Sequence, residues 1–89
     1  MKKHKTLPRS YLCSLFRNRR LTVGLTQEKM AETLYITERS YGSLERGLSG
    51  CSAETLVLLL NGLPDAEVAH TVHELARRMF KSEAEEIDQ

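Results

Sequence analysis

Residues 26–47, TQEKMAETLYITERSYGSLERG, carry the clearest structural pattern in this 89-residue chain. Thr26 and Thr37 are each suited to begin a helix, because a threonine hydroxyl accepts a hydrogen bond from an unpaired amide in the first turn. Apolar residues recur at helical spacing after each threonine. Gly47 is suited to end the second helix, since glycine adopts the left-handed conformation at little cost. The stretch therefore predicts two short helices joined by a tight turn.

Helical patterns also occupy the sequence on both sides of this stretch, and no strand-like alternation interrupts them. The predicted helices span residues 9–20, 27–34, 38–46, 53–61 and 65–85. The fourth is almost wholly apolar, so we expect it to be buried on more than one side. Residues 1–8 are predicted to form a basic, flexible arm and residues 86–89 an acidic tail. The predicted fold class is therefore all-α, with one domain over residues 9–85.

Two runs of residues resemble the helix-turn-helix domain of the phage-repressor and Cro family, also called lambda-repressor-like or XRE. They are RLTVGLTQEKMA at residues 20–31 and SLERG at residues 43–47. The resemblance implies a five-helix lambda-repressor-like domain whose second and third helices form the helix-turn-helix. It also implies a bacterial or phage transcriptional regulator of repressor type. Such a protein binds double-stranded DNA sequence-specifically, with the third helix in the major groove.

The outer face of the third helix carries the side chains expected to read bases. A helix that reads a groove needs short polar or forked side chains on its exposed N-terminal half. Arg39 can form a bidentate pair with guanine, and Glu38 can accept a hydrogen bond from a cytosine amine. Gly42 is expected on the same face, where it either lets the backbone approach the duplex closely or is a tolerated residue without a role. The predicted base-reading residues are Thr37, Glu38, Arg39, Ser40, Gly42 and Ser43.

A second set of residues is expected to hold backbone phosphates, which set the register of a protein on DNA without reading its sequence. By resemblance, Gln27 at the start of the second helix contacts a phosphate and braces the third helix. Arg46, together with Ser49 and Ser52 before the fourth helix, matches the second phosphate-contacting region of the family. Arg19, in the basic cluster that ends the first helix, is assigned the same role.

Four further positions bear on how the helices fit together. Arg20 and Glu45 match a buried salt bridge that joins the first and third helices in the family. Tyr35 stands in the turn where the family usually has glycine. A tyrosine with positive φ is strained, so we expect this turn to be reshaped. Tyr41 occupies a position that a smaller aliphatic residue usually holds.

Charge is distributed unevenly along the chain, although the net charge is only +1. Residues 1–20 contain seven basic and no acidic residues, whereas residues 51–89 contain three basic and eight acidic ones. This asymmetry suits a protein that places one face on phosphate and turns the other away. Alternatively, both ends are merely solvated. In the first interpretation the basic arm adds salt-dependent affinity for DNA.

The apolar stripe of the fifth helix admits two interpretations. It can close the core of the domain, since a chain this small needs its apolar side chains inside. Alternatively, it can form the seam of a homodimer, which would place two recognition helices about 34–36 Å apart, one turn of DNA. A monomer with so little net charge would bind one half-site weakly, and this favours the dimer. The predicted seam residues are Val72, Leu75, Met79 and Phe80.

The sequence contains no pattern for catalysis, for a cofactor or for a metal ion. His70 and His73 share a helix face, but zinc usually takes four ligands, so we expect a surface pair. No apolar run is long enough to span a membrane, and no secretion signal is recognisable. We therefore expect a cytoplasmic protein with Cys13 and Cys51 reduced, because a disulfide would require export.

The sequence is also compatible with a second class of function. The helix-turn-helix can serve as the scaffold of a protein-interaction module, antitoxin-like or a regulatory adaptor. Its acidic face and fifth helix would then bind a protein partner. Substitution of Arg39 and Ser40 separates the two classes, because it should reduce DNA binding and leave partner binding intact.

Overall fold

The computed structural model describes the backbone of residues 7–88 and the side chains of residues 7–79. Over that range the chain forms five helices and no strand, which confirms the all-α prediction. The helices are α1 (Arg9–Val23), α2 (Gln27–Thr33), α3 (Glu38–Glu45), α4 (Ala53–Asn61) and α5 (Asp65–Asp88). Residues 1–6 of the predicted arm, Gln89 and the side chain of Phe80 lie outside the described residues.

Two helices are longer than predicted. α1 continues beyond its predicted end to Val23, where Gly24 at φ 75° ends it by donating its amide to carbonyls of the last turn. α5 continues to Asp88, so residues 86–88 are helical rather than a separate tail. Leu7, which the sequence assigns to the arm, packs against the core. α5 therefore ends later than predicted, and residues packed against the core begin earlier.

Local sequence sets the starts of the three middle helices. In each, the hydroxyl of the N-cap accepts a hydrogen bond from the amide three residues further on, as predicted. The pairs are Thr26 with Lys29 at 3.1 Å, Thr37 with Ser40 at 3.0 Å and Ser52 with Thr55 at 3.1 Å. After α3, Gly47 takes φ 73° and its amide donates to the Leu44 carbonyl. These contacts keep α2 and α3 as separate short helices.

The core lies where α1, α2 and α3 meet, and one side each of α4 and α5 closes it. Its largest buried side chains include Phe16 and Tyr41, whose rings pack edge to face with centroids 6.3 Å apart. The buried apolar residues are Leu12, Phe16, Met30, Ala31, Leu34, Tyr41, Leu44, Leu59 and Leu75. Because α3 contributes Tyr41 and Leu44 to this core, its opposite side is left for solvent.

α4 departs from the prediction that it is buried on more than one side. Leu59 is its one buried apolar residue, whereas Val57 is 61% exposed. Leu56, Leu58 and Leu60 are half-buried. The outer side of α4 is therefore uncovered within the described part of the chain, and its apolar composition serves surface as well as core.

The apolar stripe of α5 divides between the core and the surface. Leu75 is 6% exposed and belongs to the core, so its assignment to a dimer seam is wrong. Val72 is 45% exposed, and Met79 is half-buried. Arg78 lies over the Tyr11 ring, 4.4 Å from its centroid. This cation–π contact helps to hold α5 against α1.

Candidate nucleic-acid interface

α3 presents a polar face to solvent along its first half. Thr37, Glu38, Arg39 and Ser40 are exposed, and Ser43 is half-buried one turn later. Although the Thr37 hydroxyl oxygen accepts the Ser40 amide, its proton remains able to donate to a ligand. The face therefore offers a guanidinium, a carboxylate and several hydroxyls on one short, capped helix.

A groove of about 420 Å³ runs between this face and the beginning of α4. Its lining residues are Ile36, Arg39, Ser40, Ser43, Leu44, Ser49, Gly50, Cys51, Ser52 and Thr55. The fold thus brings the predicted base-reading residues of α3 next to Ser49 and Ser52, which the sequence assigns to phosphate. Hydroxyls and a guanidinium around an open groove can donate to phosphates and to base edges.

The loop between α3 and α4 is held in place from two sides. Ser52 accepts the Thr55 amide at 3.1 Å and donates to the Thr55 hydroxyl at 3.0 Å, so its side chain is committed to capping α4. The Leu48 carbonyl accepts a hydrogen bond from Arg9 at 3.3 Å, which ties the loop to α1. Cys51 also lines the groove, and burial raises the pKa of its thiol. No spacing in the sequence indicates that Cys51 belongs here, because the loop path alone brings it to α3.

Arg19 lies away from this groove. Its guanidinium donates to the Gly62 carbonyl at the end of α4, and it lines a pocket between α1 and α5. Successive helical residues point about 100° apart, so Arg19 turns towards α4 when Arg20 faces α3. The groove at α3 therefore does not include Arg19, and its contact with a phosphate stays a prediction.

Gly42 is also absent from the outer face of α3. It is buried, and a Cβ placed on it would point towards Arg46 and Gln27 rather than towards solvent. Its neighbour Tyr41 is fully buried, and the helical rotation from Tyr41 leaves Gly42 on the side next to α2. Both the base-reading assignment of Gly42 and the expected close approach of its backbone to a duplex are therefore wrong.

Glu45 is the centre of a polar network that joins α1, α2 and α3. Arg20 Nε donates to its Oε2 at 2.5 Å, and Arg20 Nη2 donates to its Oε1 at 3.2 Å. Gln27 Nε2 donates to Oε1 at 3.0 Å, and the Tyr41 hydroxyl donates to Oε2 at 2.6 Å. The expected ion pair between Arg20 and Glu45 is thus present. Gln27 braces α3 through the same carboxylate.

The network holds its members in defined charge states. Burial by itself would raise the pKa of Glu45, but the hydrogen bonds that its carboxylate accepts, first from Arg20, outweigh burial and lower the pKa below 4.5. Burial, followed by the hydrogen bond to Glu45, raises the pKa of Tyr41. The carboxylate is therefore ionised and the phenol neutral at neutral pH, which fixes the donors and acceptors around them.

Tyr41 makes polar contacts in the core that the size of its side chain does not predict. The Tyr41 hydroxyl lies 3.2 Å from the Phe16 carbonyl oxygen and 2.6 Å from Glu45 Oε2. It therefore links α3 to the middle of α1. Tyr41 precedes Glu45 by four residues, and residues at that spacing are neighbours on a helix surface. This spacing was the one signal available in the sequence.

The turn between α2 and α3 keeps its tight form. Tyr35 adopts φ 59°, and its side chain is 86% exposed. The amides of Tyr35 and Ile36 donate to the carbonyls of Glu32 at 3.2 Å and Ala31 at 3.1 Å. The expected reshaping is therefore wrong, because the short connection imposes the left-handed conformation and the tyrosine bears the strain.

Features of other kinds are few among the described residues. They contain no group of three or more His, Cys, Asp and Glu side chains that could hold a metal ion. No helix within them is both long and apolar enough to cross a membrane. His70 lines the pocket between α1 and α5 together with Arg19 and Glu67.

Comparison with known proteins adds one match. A family model described as helix-turn-helix matches residues 16–64, more than half of the chain. The matched region contains the second half of α1 and all of α2, α3 and α4, and so includes the groove and the network around Glu45. Neither the curated proteins nor the solved structures gave a significant match.

Proposed function

The chain belongs to the helix-turn-helix family of phage-repressor and Cro type, and we propose that it binds double-stranded DNA sequence-specifically as a transcriptional regulator. This family is one of DNA-binding regulatory domains rather than of enzymes. In this proposal α3 enters the major groove.

The observation that carries the proposal is the groove shared by α3 and the start of α4. Arg39, Ser40 and Ser43 stand on one wall, and Ser49 and Ser52 stand on the other. Groups that read bases and groups that hold phosphate must face the same duplex at once, and this arrangement meets that requirement. Arg39 pairs with guanine, and the serines bond to neighbouring base edges.

Phosphates are held around the rim of the same face. Gln27, Arg46 and Ser49 supply side chains, while Ser52 supplies its backbone amide because its hydroxyl caps α4. Glu38, exposed in the first turn of α3, accepts a hydrogen bond from a cytosine amine rather than facing a phosphate. Thr37 donates its hydroxyl to the nearest phosphate or base edge.

We propose that a second copy of the chain covers the exposed apolar surface of α4 and α5. Val57 and Val72 are exposed there, and a shallow groove of about 320 Å³ is lined by Val57, Leu60, Asn61, Leu63, Asp65 and Val68. A net charge of +1 supports little binding by charge alone, so two linked half-sites are needed for firm binding. Sedimentation of the native protein and of Val57→Asp tests this. A native protein that stays monomeric would instead favour a partner protein on this surface.

The main experiment selects a duplex from a random pool and titrates its binding against salt, with a scrambled duplex as control. The native protein should prefer the selected duplex, with affinity falling steeply as salt rises. Arg39→Ala combined with Ser40→Ala should reduce that preference by about tenfold or more. Arg77→Ala, which removes the same charge from exposed α5, should leave it unchanged. Equal and weak binding of the native protein to all duplexes would overturn the proposal.

A further inference from the structure

Gly42 leaves an opening on the side of α3 that faces α2. A Cβ placed on Gly42 would lie 3.2 Å from Arg46 Nη1 and 3.9 Å from Gln27 Oε1. The first distance is tighter than ordinary Cβ contacts, so the guanidinium would have to move by a few tenths of an ångström. The space that a side chain would fill is therefore partly used by Arg46.

The backbone gives no reason for a glycine at this position. Gly42 lies inside a regular helix, and the glycines with positive φ among the described residues are Gly24 and Gly47. A glycine within a helix costs about 1 kcal/mol relative to alanine. The sequence thus carries a destabilising residue where alanine would fit the backbone, and the contacts that a side chain would meet offer a reason for it.

One of those neighbours, Arg46, is a cation suited to bind an anion. Gln27 Nε2 donates to Glu45 at 3.0 Å, which fixes the amide and leaves its Oε1 on the side of Gly42. Arg46 is exposed, and no carboxylate among residues 7–79 lies within ion-pair distance of its guanidinium. A guanidinium without a carboxylate partner in that part of the chain is suited to bind phosphate oxygens.

We infer that Gly42 is a positioning residue for DNA binding: by lacking a side chain, it lets the Arg46 guanidinium lie along α3 beside Gln27, ready for a backbone phosphate. This inference rests on the proposed function and extends it to a residue that makes no side-chain contact. A guanidinium that already lies on the side of α3 next to Gln27 needs less rearrangement when it binds a phosphate. Because the contact is to phosphate, its effect is equal for specific and scrambled duplexes.

The test compares Gly42→Ala, Arg46→Ala and the double variant on the selected and scrambled duplexes over a salt series. Gly42→Ala should raise the Tm, because alanine favours the helix, and yet weaken binding to both duplexes by about threefold to tenfold. Arg46→Ala should weaken both at least as much and reduce the salt slope by about 0.9. The double variant should bind like Arg46→Ala alone, since the guanidinium that Gly42→Ala displaces is then already absent.

Gly62→Ala is the matched control. A Cβ on Gly62 would lie 3.6 Å from the Leu59 carbonyl and 3.8 Å from Arg19 Nη2, which are ordinary contacts. Like Gly42→Ala, this substitution adds a methyl group beside an arginine, at a glycine with negative φ. Gly62, however, lies away from the groove. We expect unchanged DNA affinity from this variant.

Three results would overturn the inference. The first is native affinity in Gly42→Ala while Arg46→Ala binds weakly. The second is a double variant whose DNA affinity falls by the product of the factors measured for the two single variants. The third is a lower Tm in Gly42→Ala, which would make its weaker binding a consequence of damaged structure. The Arg39→Ala, Ser40→Ala protein keeps the two proposals distinct: if it loses preference while Gly42→Ala binds normally, this inference alone fails. A native protein without preference or affinity for DNA ends both.

Discussion

Arg20 Nε donates to Glu45 Oε2 over 2.5 Å, and this contact ties the end of α1 to the end of α3. The arginine side chain is 16% exposed and the glutamate side chain 6% exposed, so water screens the pair weakly. Arg20 Nη1 also donates to the Leu25 carbonyl at 3.1 Å, which holds the turn before α2. One side chain therefore sets the position of both helices of the helix-turn-helix relative to α1.

The first prediction is that Arg20→Met destabilises the protein by about 3 kcal/mol, because the Glu45 carboxylate would be left buried without its cation. Urea denaturation measures this change. Arg77→Ala is the comparison, since its ion pair with Glu74 is exposed on the arginine side and is screened by water, so its loss should matter much less. Equal losses in the two variants would show that the buried network contributes little.

The second prediction concerns pH. The pKa of Glu45 is lowered by folding, so the folded state favours the ionised carboxylate. Its contribution to stability is therefore complete above the unfolded value of 4.5 and is lost as pH falls through the lower folded pKa. The free energy of unfolding should fall with acidification below 4.5, and it should fall less steeply in Glu45→Gln. Parallel pH dependence in the two proteins would contradict this.

The third prediction is that Tyr35→Gly raises the free energy of unfolding by about 1 kcal/mol, because glycine takes positive φ without the steric strain that tyrosine bears. Thermal melts measure the gain. Tyr35→Phe keeps the Cβ and the strain, so it should leave the Tm unchanged. A lower Tm in Tyr35→Gly would mean that the exposed ring makes a stabilising contact.

The fourth prediction separates core from surface on α5. Leu75→Ala should cost about 2–5 kcal/mol, because it leaves a cavity in the core. Val72→Ala, three residues earlier on the exposed side, should change stability by less than about 0.5 kcal/mol in the monomer. Denaturation at low protein concentration measures both without a contribution from self-association. If both substitutions change the free energy of unfolding by a similar small amount, Leu75 is not part of the core.

Local chemistry explains why much of the architecture was predictable. Thr26, Thr37 and Ser52 cap their helices through contacts with residues three positions away. Their roles can therefore be predicted without knowledge of the tertiary structure. Gly47 ends α3 for an equally local reason. The ion pair of Arg20 with Glu45 joins distant parts of the chain, and it was predictable only because the family resemblance supplied their proximity.

The sequence by itself determined the number of helices, their approximate starts and the polar character of α3, because capping and helical periodicity act over a few residues. Tertiary structure alone decided which side of each helix is covered. Leu75 and Leu59 are buried while Val57 is exposed, since burial depends on what packs against a helix rather than on hydrophobicity. Arg19 and Gly42 turned away from the groove for the same reason: a helix rotates about 100° per residue, and only its packing against neighbours fixes where each residue points.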